Sequence, residues 1–514
     1  MLSIAETPAL APCPAPFNLA EYVLSGGADM PDKNALQIIG LTGAQRWSYA
    51  ALEAAVRGVG TGLLQAGLEP GQRVLMRLGN VIDFPLAFLG AIAAGLVPVP
   101  TSAQLTAPEI TAMARDLDPA AVLAGDGIAL PDHPAARITE ASLRAWRRLP
   151  PCDFARGAPD RLAYMVFTSG TSGRPRAVMH AHRAVWARRM MWQGWYGLGV
   201  TDRLLHAGAF NWTYTLGTGL MDPWAIGATA LIPAAGLEPS QIPLLLKRFD
   251  ATIFAAAPGV YRQMLRAPLP DLPNLRHGLS AGEKLAEPVR NAWQQATGTP
   301  IFEALGMSEV STYVSSSPTR PAPAGTLGYA QPGRRLAVLA GDGLPVPRGE
   351  PGELSVDARD PGLFLGYWQD EAETSARFRD GWFLSGDMVS MEPDGAIRYL
   401  GREDDMLNAG GYRVSPLEIE RAFDAHAAIA ESAAIELEPR PGVRIIALAY
   451  VARGAVDQAA LEAHAGEHLA RYKQPRLFLP VAALPRGANN KLNRRALRES
   501  AQAALPPRGS DDQA

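Results

Sequence analysis

The sequence predicts an α/β protein with a large N-terminal domain of βαβ layers, which carries a small β-rich subdomain, and a small α+β C-terminal domain. Three observations support this prediction. The chain has 514 residues, more than one ordinary domain holds. Helical and strand-like stretches alternate through most of it, and the pattern changes near residue 350 and again after residue 401. We therefore expect domains at residues 1–401 and 402–514, with a disordered tail at residues 506–514.

The βαβ pattern is clearest in the first hundred residues. A helical stretch at residues 49–65 precedes a strand-like stretch at residues 73–78, a second helix from Phe84 and a strand near Val97. Such alternation indicates a mainly parallel sheet covered by helices. We expect the pattern to recur in the short apolar runs at residues 161–167, 251–257 and 276–280.

The later part of the chain has shorter units. Short strands separated by Gly, Pro and Asp-Gly turns indicate the β-rich subdomain; they are expected at residues 352–356, 382–384 and 396–400. Beyond residue 402 the pattern is typical of a separate small domain. Its elements are expected to be a helix at residues 416–427, a strand at residues 445–451 and a helix at residues 457–472.

Composition excludes several classes of function. The 48 Lys and Arg residues nearly balance 51 Asp and Glu residues, and no block of like charges suits a nucleic acid. The two cysteines, Cys13 and Cys152, are far apart, which argues against a disulfide scaffold. The start of the chain lacks the features of a secretory signal. We expect a cytoplasmic protein with small-molecule partners, and a homodimer is one assembly left open.

The most apolar run, at residues 84–100, is the candidate for a membrane span. It has 17 residues, among them three prolines and two glycines. A span needs about 20 consecutive apolar residues. A buried helix that leads into a strand is therefore the better interpretation.

A strand that begins at Leu162 runs into a loop of small hydroxylated residues and glycines. Such a loop exposes backbone N–H groups, lets anionic oxygens approach closely and adds hydroxyl donors, while Arg176 adds a charge. The sequence therefore predicts a phosphate-binding loop, although it is not a Walker A loop. Its residues are Thr168, Ser169, Gly170, Thr171, Ser172, Gly173 and Arg176.

This loop resembles the signature loop of the acyl-adenylate-forming superfamily, which includes acyl-CoA synthetases, peptide-synthetase adenylation domains and luciferases. Further segments resemble the family's motifs in the family's order, from about residue 30 to residue 500. They are Ser280 to Glu283, Glu303 to Glu309, Trp382 to Asp387, Gly401 to Asp405 and Pro485 to Lys491. The resemblance implies an ATP-dependent carboxylic acid–CoA ligase that is similar to the benzoate–CoA ligases.

Adenylation brings a carboxylate against the α-phosphate of ATP, so charge compensation is the central problem. By resemblance, Glu309 would bind Mg²⁺, Ser308 would contact the α-phosphate, and the loop would hold the β- and γ-phosphates. Asp387 resembles the family's ribose-binding carboxylate, and Arg402 resembles a second ribose contact. The remaining residues assigned to ATP or AMP by resemblance are Gly282, Glu283, Glu303, Ala304 and Leu305.

The C-terminal domain would supply a mobile cation. Lys491 resembles the family's catalytic lysine, whose long ammonium side chain can bridge carboxylate and phosphate in one pose and withdraw in another. Asp404 falls at the family's hinge, about which the small domain would turn. In the second pose Gly410, Gly411 and Tyr412 would line the passage for coenzyme A.

The acid would bind among aromatic residues. The segments around residues 210–214 and 257–261 resemble those that line the family's acid pocket, with Met307 at its floor. The aromatic residues favour a benzoate-like or a short- to medium-chain aliphatic acid. Aromatic residues at these spacings are equally typical of plain core. The predicted pocket residues are Trp212, Thr213, Tyr214, Tyr261 and Met307.

Four positions depart from the family's pattern. Arg176 replaces the usual lysine and keeps the charge, and Asn490 replaces a glycine but tolerates a left-handed backbone. Leu305 stands where an aromatic residue usually stacks on adenine. Asn211 lies near the residue that commonly closes the acid pocket.

Other functions remain as alternatives. Residues 278–282 match the G-x-S-x-G motif of hydrolases, with His426, His464 or His468 following in order, but that function leaves the phosphate loop and Lys491 unexplained. Residues 464–468 match a zinc motif, although a solvated helix fits better. Within the family, the alternative is an adenylation enzyme that loads a carrier protein, and a third class is a non-catalytic acyl-nucleotide binder.

Overall fold

The computed structural model describes residues 1–169, 175–409, 412–440, 443–487 and 492–505. Its centre is a nine-stranded sheet whose inner strands are parallel. In spatial order the strands are Tyr329–Ala330, Ser311–Ser315, Ile301–Met307, His277–Ala281, Ile253–Ala256, Arg203–His206, Thr229–Pro233, Asn34–Ile39 and Ala44–Ser48. The carboxyl ends of parallel strands meet at one edge, which is where ligands bind in open α/β sheets.

A four-stranded parallel sheet confirms the βαβ pattern expected in residues 49–100. Its strands are Val97–Pro100, Arg73–Arg77, Ala121–Ala124 and Ala136–Thr139. The helix Tyr49–Gln65 has the predicted bounds, and Ser48 caps it by accepting from the N–H of Ala51. The apolar run forms the buried helix Asp83–Ala93 and a following strand, as predicted. No helix in the described part of the chain is long and apolar enough to cross a membrane.

The expectation of a parallel strand at residues 161–167 is wrong. The strand Leu162–Ser169 pairs antiparallel with Pro175–Ala181, which pairs with Gly366–Tyr367. The apolar run predicted a buried strand correctly, but strand content alone does not set the direction of pairing. The two other runs, Ile253–Ala256 and His277–Ala281, are parallel as expected.

The β-rich subdomain is a six-stranded antiparallel sheet. It contains Ile4–Glu6, Arg335–Leu339, Pro351–Asp357, Trp382–Met391, Phe378–Arg379 and Ile397–Arg402. Its strands pair with near neighbours in the chain, except for Ile4–Glu6, which reaches it from the N-terminal end. This sheet presents Asp387 and Arg402 as directly opposed residues.

The C-terminal part has its own apolar clusters, built from residues beyond 406. The strands Leu407–Ala409 and Tyr412–Val414 pair antiparallel, and Ile429–Arg440, Val443–Ala452 and Leu477–Pro480 form a sheet. The predicted helices are shorter than expected, at Pro416–Asp424 and Gln458–His468. The strand Ile429–Arg440 was not predicted, because polar residues interrupt its apolar pattern.

The remaining helices cover the sheets. The α-helices are Leu19–Ser25, Ala107–Leu117, Glu140–Trp146, Arg183–Ala187, Asp222–Ala225, Ile242–Arg248, Pro258–Met264, Glu287–Thr297, Glu371–Ala376 and Arg494–Ala503. Short 3₁₀ turns lie at Pro239–Gln241, Glu403–Asp405 and Arg471–Lys473, and π-helical turns lie at Trp192–Tyr196 and Thr215–Met221.

Candidate active site

A cavity of about 440 Å³ lies at the carboxyl ends of the central strands. Most of the predicted site residues in the described part of the chain line it, although they come from widely separated segments of the sequence. The predicted residues at the cavity are Thr168, Arg176, Trp212, Thr213, Gly282, Glu283, Glu303, Ala304, Leu305, Met307, Ser308, Glu309, Asp387 and Arg402. Asn211, one of the four departures, lines it as well.

The floor is the strand Ile301–Met307 and the turn after it. Its register shifts between Leu305 and Gly306, and such bulges re-aim side chains next to active sites. A Cβ on Gly306 would lie 2.5 Å from the carbonyl oxygen of Ser311, so only glycine fits this approach. The bulge leads directly to Ser308 and Glu309, which both face the cavity.

Glu309 is a buried carboxylate at the cavity wall. The hydroxyl of Tyr367 donates to its Oε1 at 2.8 Å, and the Glu309 carbonyl accepts from the N–H of Phe364. A buried carboxylate needs a compensating cation or donors. Tyr367 fixes one oxygen in place, which suits a carboxylate that receives a cation from the cavity.

The turn that carries these residues is anchored from behind. Arg188 donates to the hydroxyl of Ser311 and pairs with Asp222, its Nε lying 3.0 Å from Oδ1. Tyr196 also donates to Asp222, at 2.7 Å. Ser311 has a φ of +66°, a conformation that costs a non-glycine residue free energy unless its surroundings hold it. The buried ion pair thus holds the Ser308 turn in position.

Asp387 has three donors at its carboxylate. Tyr399 and Arg402 donate to Oδ1 at 3.1 and 3.2 Å, and Tyr313 donates to Oδ2 at 3.2 Å. Arg402 also donates to the carbonyl of Ser385. The carboxylate is therefore held rigidly at the cavity, with its charge compensated by Arg402, as a hydroxyl-binding group requires.

Glu303 supports the site, because both of its carboxylate oxygens already accept hydrogen bonds from the protein. Its Oε1 accepts from the N–H of Leu285 and its Oε2 accepts from Arg290, both at 2.8 Å. Burial raises the pKa of this carboxyl. These bonds hold the segment that contains Gly282 and Glu283 against the strand below it.

Arg176 lines the cavity but is already paired on its other side. Its Nη1 lies 2.8 Å from Oε1 of Glu373, and its guanidinium lies over the ring of Tyr367. Thr168 lies opposite Arg176 in the antiparallel pair, and both residues line the cavity. Ser169 ends the strand, and Gly170, Thr171, Ser172 and Gly173 lie outside the described residues.

The structure corrects the assignment of two pocket aromatics. Tyr261 is fully buried on the other side of the sheet, where its hydroxyl donates to the carbonyls of Phe254 and Leu279. Tyr214 lies one layer behind Trp212, with ring centroids 5.4 Å apart, and its hydroxyl also donates to Leu279. Of the predicted aromatics, Trp212 alone lines the cavity.

The rival motifs do not form sites among the described residues. Ser280 lies fully buried within the strand His277–Ala281 rather than on a strand-to-helix turn. The ring of His464 stacks on that of His468, and its Nε2 bonds to the carbonyl of Ala422. No group of three potential metal ligands occurs in the described ranges.

Lys491, Gly410 and Gly411 lie outside the described residues, and Asp404 and Tyr412 are described by their backbone. Arg486, five residues before Lys491 in the sequence, nevertheless approaches a residue of the cavity wall. Arg486 pairs with Leu492 in a β-bridge, and Nη1 of Arg486 lies 3.9 Å from Oε2 of Glu283.

Sequence reasoning missed several cavity residues. Tyr367, Arg377, Tyr399 and Lys284 line the cavity, and Tyr313 lies behind Asp387. Burial lowers the pKa of Lys284 to about 8. Only proximity in the sequence to an assigned residue could have indicated these cavity residues. Lys284 follows the motif that ends at Glu283, and Tyr399 lies three residues before Arg402.

Comparison with known proteins agrees with this geometry. Residues 26–368 match the family described as AMP-binding enzyme. The chain is 30% identical to a 3-hydroxybenzoate–CoA ligase of Aromatoleum sp. (strain CIB), over 92% of this chain and 94% of the relative. It is also 30% identical to a benzoate–CoA ligase of Thauera aromatica, over 97% of this chain and 99% of that relative.

A solved structure of an anthranilate–CoA ligase in complex with anthranoyl-AMP has a TM-score of 0.86 at 25% identity, and the match covers 96% of this chain and 98% of that one. That likeness includes both the large N-terminal and the small C-terminal part. The match over two thirds of the sequence, together with the cavity that collects the adenylation motifs, shows that this chain belongs to the AMP-binding enzyme family.

Proposed function

We propose that the chain is an ATP-dependent carboxylic acid–CoA ligase that acts on an aromatic acid. A carboxylate oxygen of the acid attacks the α-phosphorus of ATP, and pyrophosphate leaves. The thiol of coenzyme A then attacks the acyl carbonyl, and AMP leaves. The observation that carries the proposal is one cavity that brings together Thr168, Ser308, Glu309, Asp387 and Trp212.

Each side of the cavity suits one part of the substrates. Asp387, fixed by Arg402 and two tyrosine hydroxyls, can accept hydrogen bonds from a ribose. Thr168 and Arg176 begin and end the loop expected at the phosphates. Ser308 lines the same cavity and would contact the α-phosphate.

Mg²⁺ fits the donor set at Glu309. Mg²⁺ prefers oxygen ligands and is commonly bound by one or two carboxylates together with substrate phosphates. The buried Glu309 offers one carboxylate oxygen beyond the one that Tyr367 holds, and the hydroxyl-bearing residues Thr168 and Ser308 line the same cavity. When bound, the ion would neutralise phosphate charge. Tyr367 would keep the Glu309 carboxylate oriented throughout.

The small domain, residues 402–514, would turn about residues 402–405. Arg402 bonds to Asp387 in the large domain, while a single 3₁₀ turn at Glu403–Asp405 follows it and separates the two sets of apolar clusters. Lys491 would neutralise the reacting anions in the first pose, and residues 410–412 would guide coenzyme A in the second.

Coenzyme A is favoured over a carrier protein as the acyl acceptor. The relatives in the comparison are named as CoA ligases, including those for benzoate and 3-hydroxybenzoate. An aromatic acid also fits the wall formed by Trp212 and Met307. Cys13 and Cys152 are both free thiols, which is consistent with a cytoplasmic protein.

A panel of acids tests this proposal. Purified protein is incubated with ATP, Mg²⁺, coenzyme A and benzoates, phenylacetates or linear acids, and AMP and the thioester are quantified. We expect equal amounts of AMP and thioester with benzoates, and the highest kcat/KM among them. AMP formed in the presence of coenzyme A without a matching amount of thioester, or no turnover with any acid, would contradict it.

The departure at Leu305 gives a separate prediction. Leu305→Tyr restores a ring at the position expected to face adenine, and aromatic pairs add about 0.5–1.5 kcal/mol beyond area burial. We expect the KM for ATP to fall about two- to tenfold. The matched control is Leu305→Met, which conserves volume without a ring and should leave this KM unchanged. Equal effects of both variants would show that Leu305 does not face the base.

A further inference from the structure

We propose that Arg262 and Glu431 form a clasp between the domains that positions Lys491 for adenylation and has no part in thioester formation. This inference rests on the proposed function. It assigns a role to two residues that lie outside the adenylation motifs and do not line the cavity.

Glu431 lies between two arginines. Its Oε1 is 3.0 Å from Nη1 of Arg262, and its Oε2 is 2.9 Å from Nη2 of Arg486. Arg486 in turn approaches Glu283, with Nη1 3.9 Å from Oε2. The four side chains alternate in sign, so each charge has an opposite neighbour.

The clasp crosses from one part of the fold to the other. Arg262 belongs to the helix Pro258–Met264, which packs on the central sheet through Tyr261 and Met264. Glu431 belongs to the strand Ile429–Arg440 of the small domain, whose core includes Ala433 and Ile435. A rotation of the small domain relative to the large domain would therefore separate Arg262 from Glu431.

Arg486 connects the clasp to the catalytic segment. It lies in the motif that ends at Lys491, it is bridged to Leu492, and the N–H of Asn493 donates to the carbonyl of Pro485 at 2.8 Å. Residues on both sides of Lys491 are thus tied together. Since Glu283 lines the cavity, the clasp holds this segment at the cavity rim.

The charges are partly exposed, which sets the size of the effect. Arg262 and Glu431 are each about a third exposed, at 31% and 32%. Single ion pairs of this kind shift equilibria by modest factors, and networks shift them further. Loss of a clasp that is made in one pose slows the half-reaction that needs this pose, and it cannot slow the other half-reaction.

The test compares the two half-reactions in Arg262→Gln and Glu431→Gln. Acid-dependent ATP–pyrophosphate exchange should fall about three- to fivefold in Arg262→Gln. It should fall further, up to about tenfold, in Glu431→Gln, because two arginines then face each other. Thioester formation from supplied benzoyl-adenylate and coenzyme A should be unchanged or faster. The double variant should be no slower in exchange than Glu431→Gln alone.

Two controls accompany these variants. Arg495→Gln breaks a 2.8 Å ion pair with Glu499 inside the small domain, and it should change neither half-reaction. Arg262→Lys keeps the charge and should recover most of the exchange rate. Equal losses in both half-reactions, or no loss in exchange, would overturn the clasp. Wild-type protein without any exchange would instead overturn the proposed function, and the clasp with it.

Discussion

Replacement of Lys491 by alanine is expected to abolish acid-dependent ATP–pyrophosphate exchange while thioester formation from a supplied acyl-adenylate largely survives. Two anions must meet in the first half-reaction, and their repulsion has to be compensated by a cation in place before the transition state. Loss of one such positioned group commonly costs on the order of 10²–10³-fold in rate. The second half-reaction lacks this meeting of anions, so it does not need the ammonium group.

The two half-reactions are measured separately, with labelled pyrophosphate for the first and with synthetic benzoyl-adenylate plus coenzyme A for the second. Lys247→Ala is the matched control, since Lys247 is an exposed lysine on the helix Ile242–Arg248 of the large domain. It should leave both rates unchanged. Equal loss of both half-reactions in Lys491→Ala would rule out a lysine that acts in one pose.

Asp222→Ala is expected to destabilise the protein by about 3–5 kcal/mol, because it leaves the buried guanidinium of Arg188 without its counter-ion. Both side chains are almost fully inaccessible, and the hydroxyl of Tyr196 loses one of its hydrogen-bond partners at the same time. The loss reaches the site, since Arg188 also holds Ser311 behind Ser308 and Glu309. The rate of ATP–pyrophosphate exchange should therefore fall even under conditions in which the variant is still folded.

Urea unfolding followed by tryptophan fluorescence measures this effect, since Trp195 lies next to Tyr196 in the core. Glu499→Ala serves as the comparison, because it removes a carboxylate from an exposed pair with Arg495. Such pairs are worth less than about 1 kcal/mol. A loss in Asp222→Ala no larger than that of Glu499→Ala would show that the buried pair does not anchor this region.

Much of the fold could be predicted where apolar periodicity is strong. The helix Tyr49–Gln65 and the strand Arg73–Arg77 follow the pattern of the sequence closely. Pairing direction could not be predicted for Leu162–Ser169, because a buried strand has the same apolar residues in a parallel and an antiparallel sheet. The strand Ile429–Arg440 was missed because its charged residues interrupt the alternation.

The site could be predicted from motifs but not from composition. Asp387 and Arg402 were assigned separately, and in the structure Nη1 of Arg402 lies 3.2 Å from Oδ1 of Asp387. Tyr261 was misassigned because aromatic spacing does not tell which side of a sheet a side chain occupies. Tyr367 and Arg377 were missed because they reach the cavity from a two-residue strand and a turn that have no motif of their own. Contacts of this kind depend on packing between distant segments.

The most direct test of the central claim follows the oxygen atoms of the acid. Protein is incubated with ATP, Mg²⁺, coenzyme A and benzoate labelled with ¹⁸O in its carboxylate, and the nucleotide and phosphate products are analysed by mass spectrometry. Attack of the carboxylate on the α-phosphorus predicts one labelled oxygen in AMP and none in pyrophosphate. Label in inorganic phosphate together with ADP, or thioester formed with unlabelled AMP, would contradict an acyl-adenylate formed in this cavity.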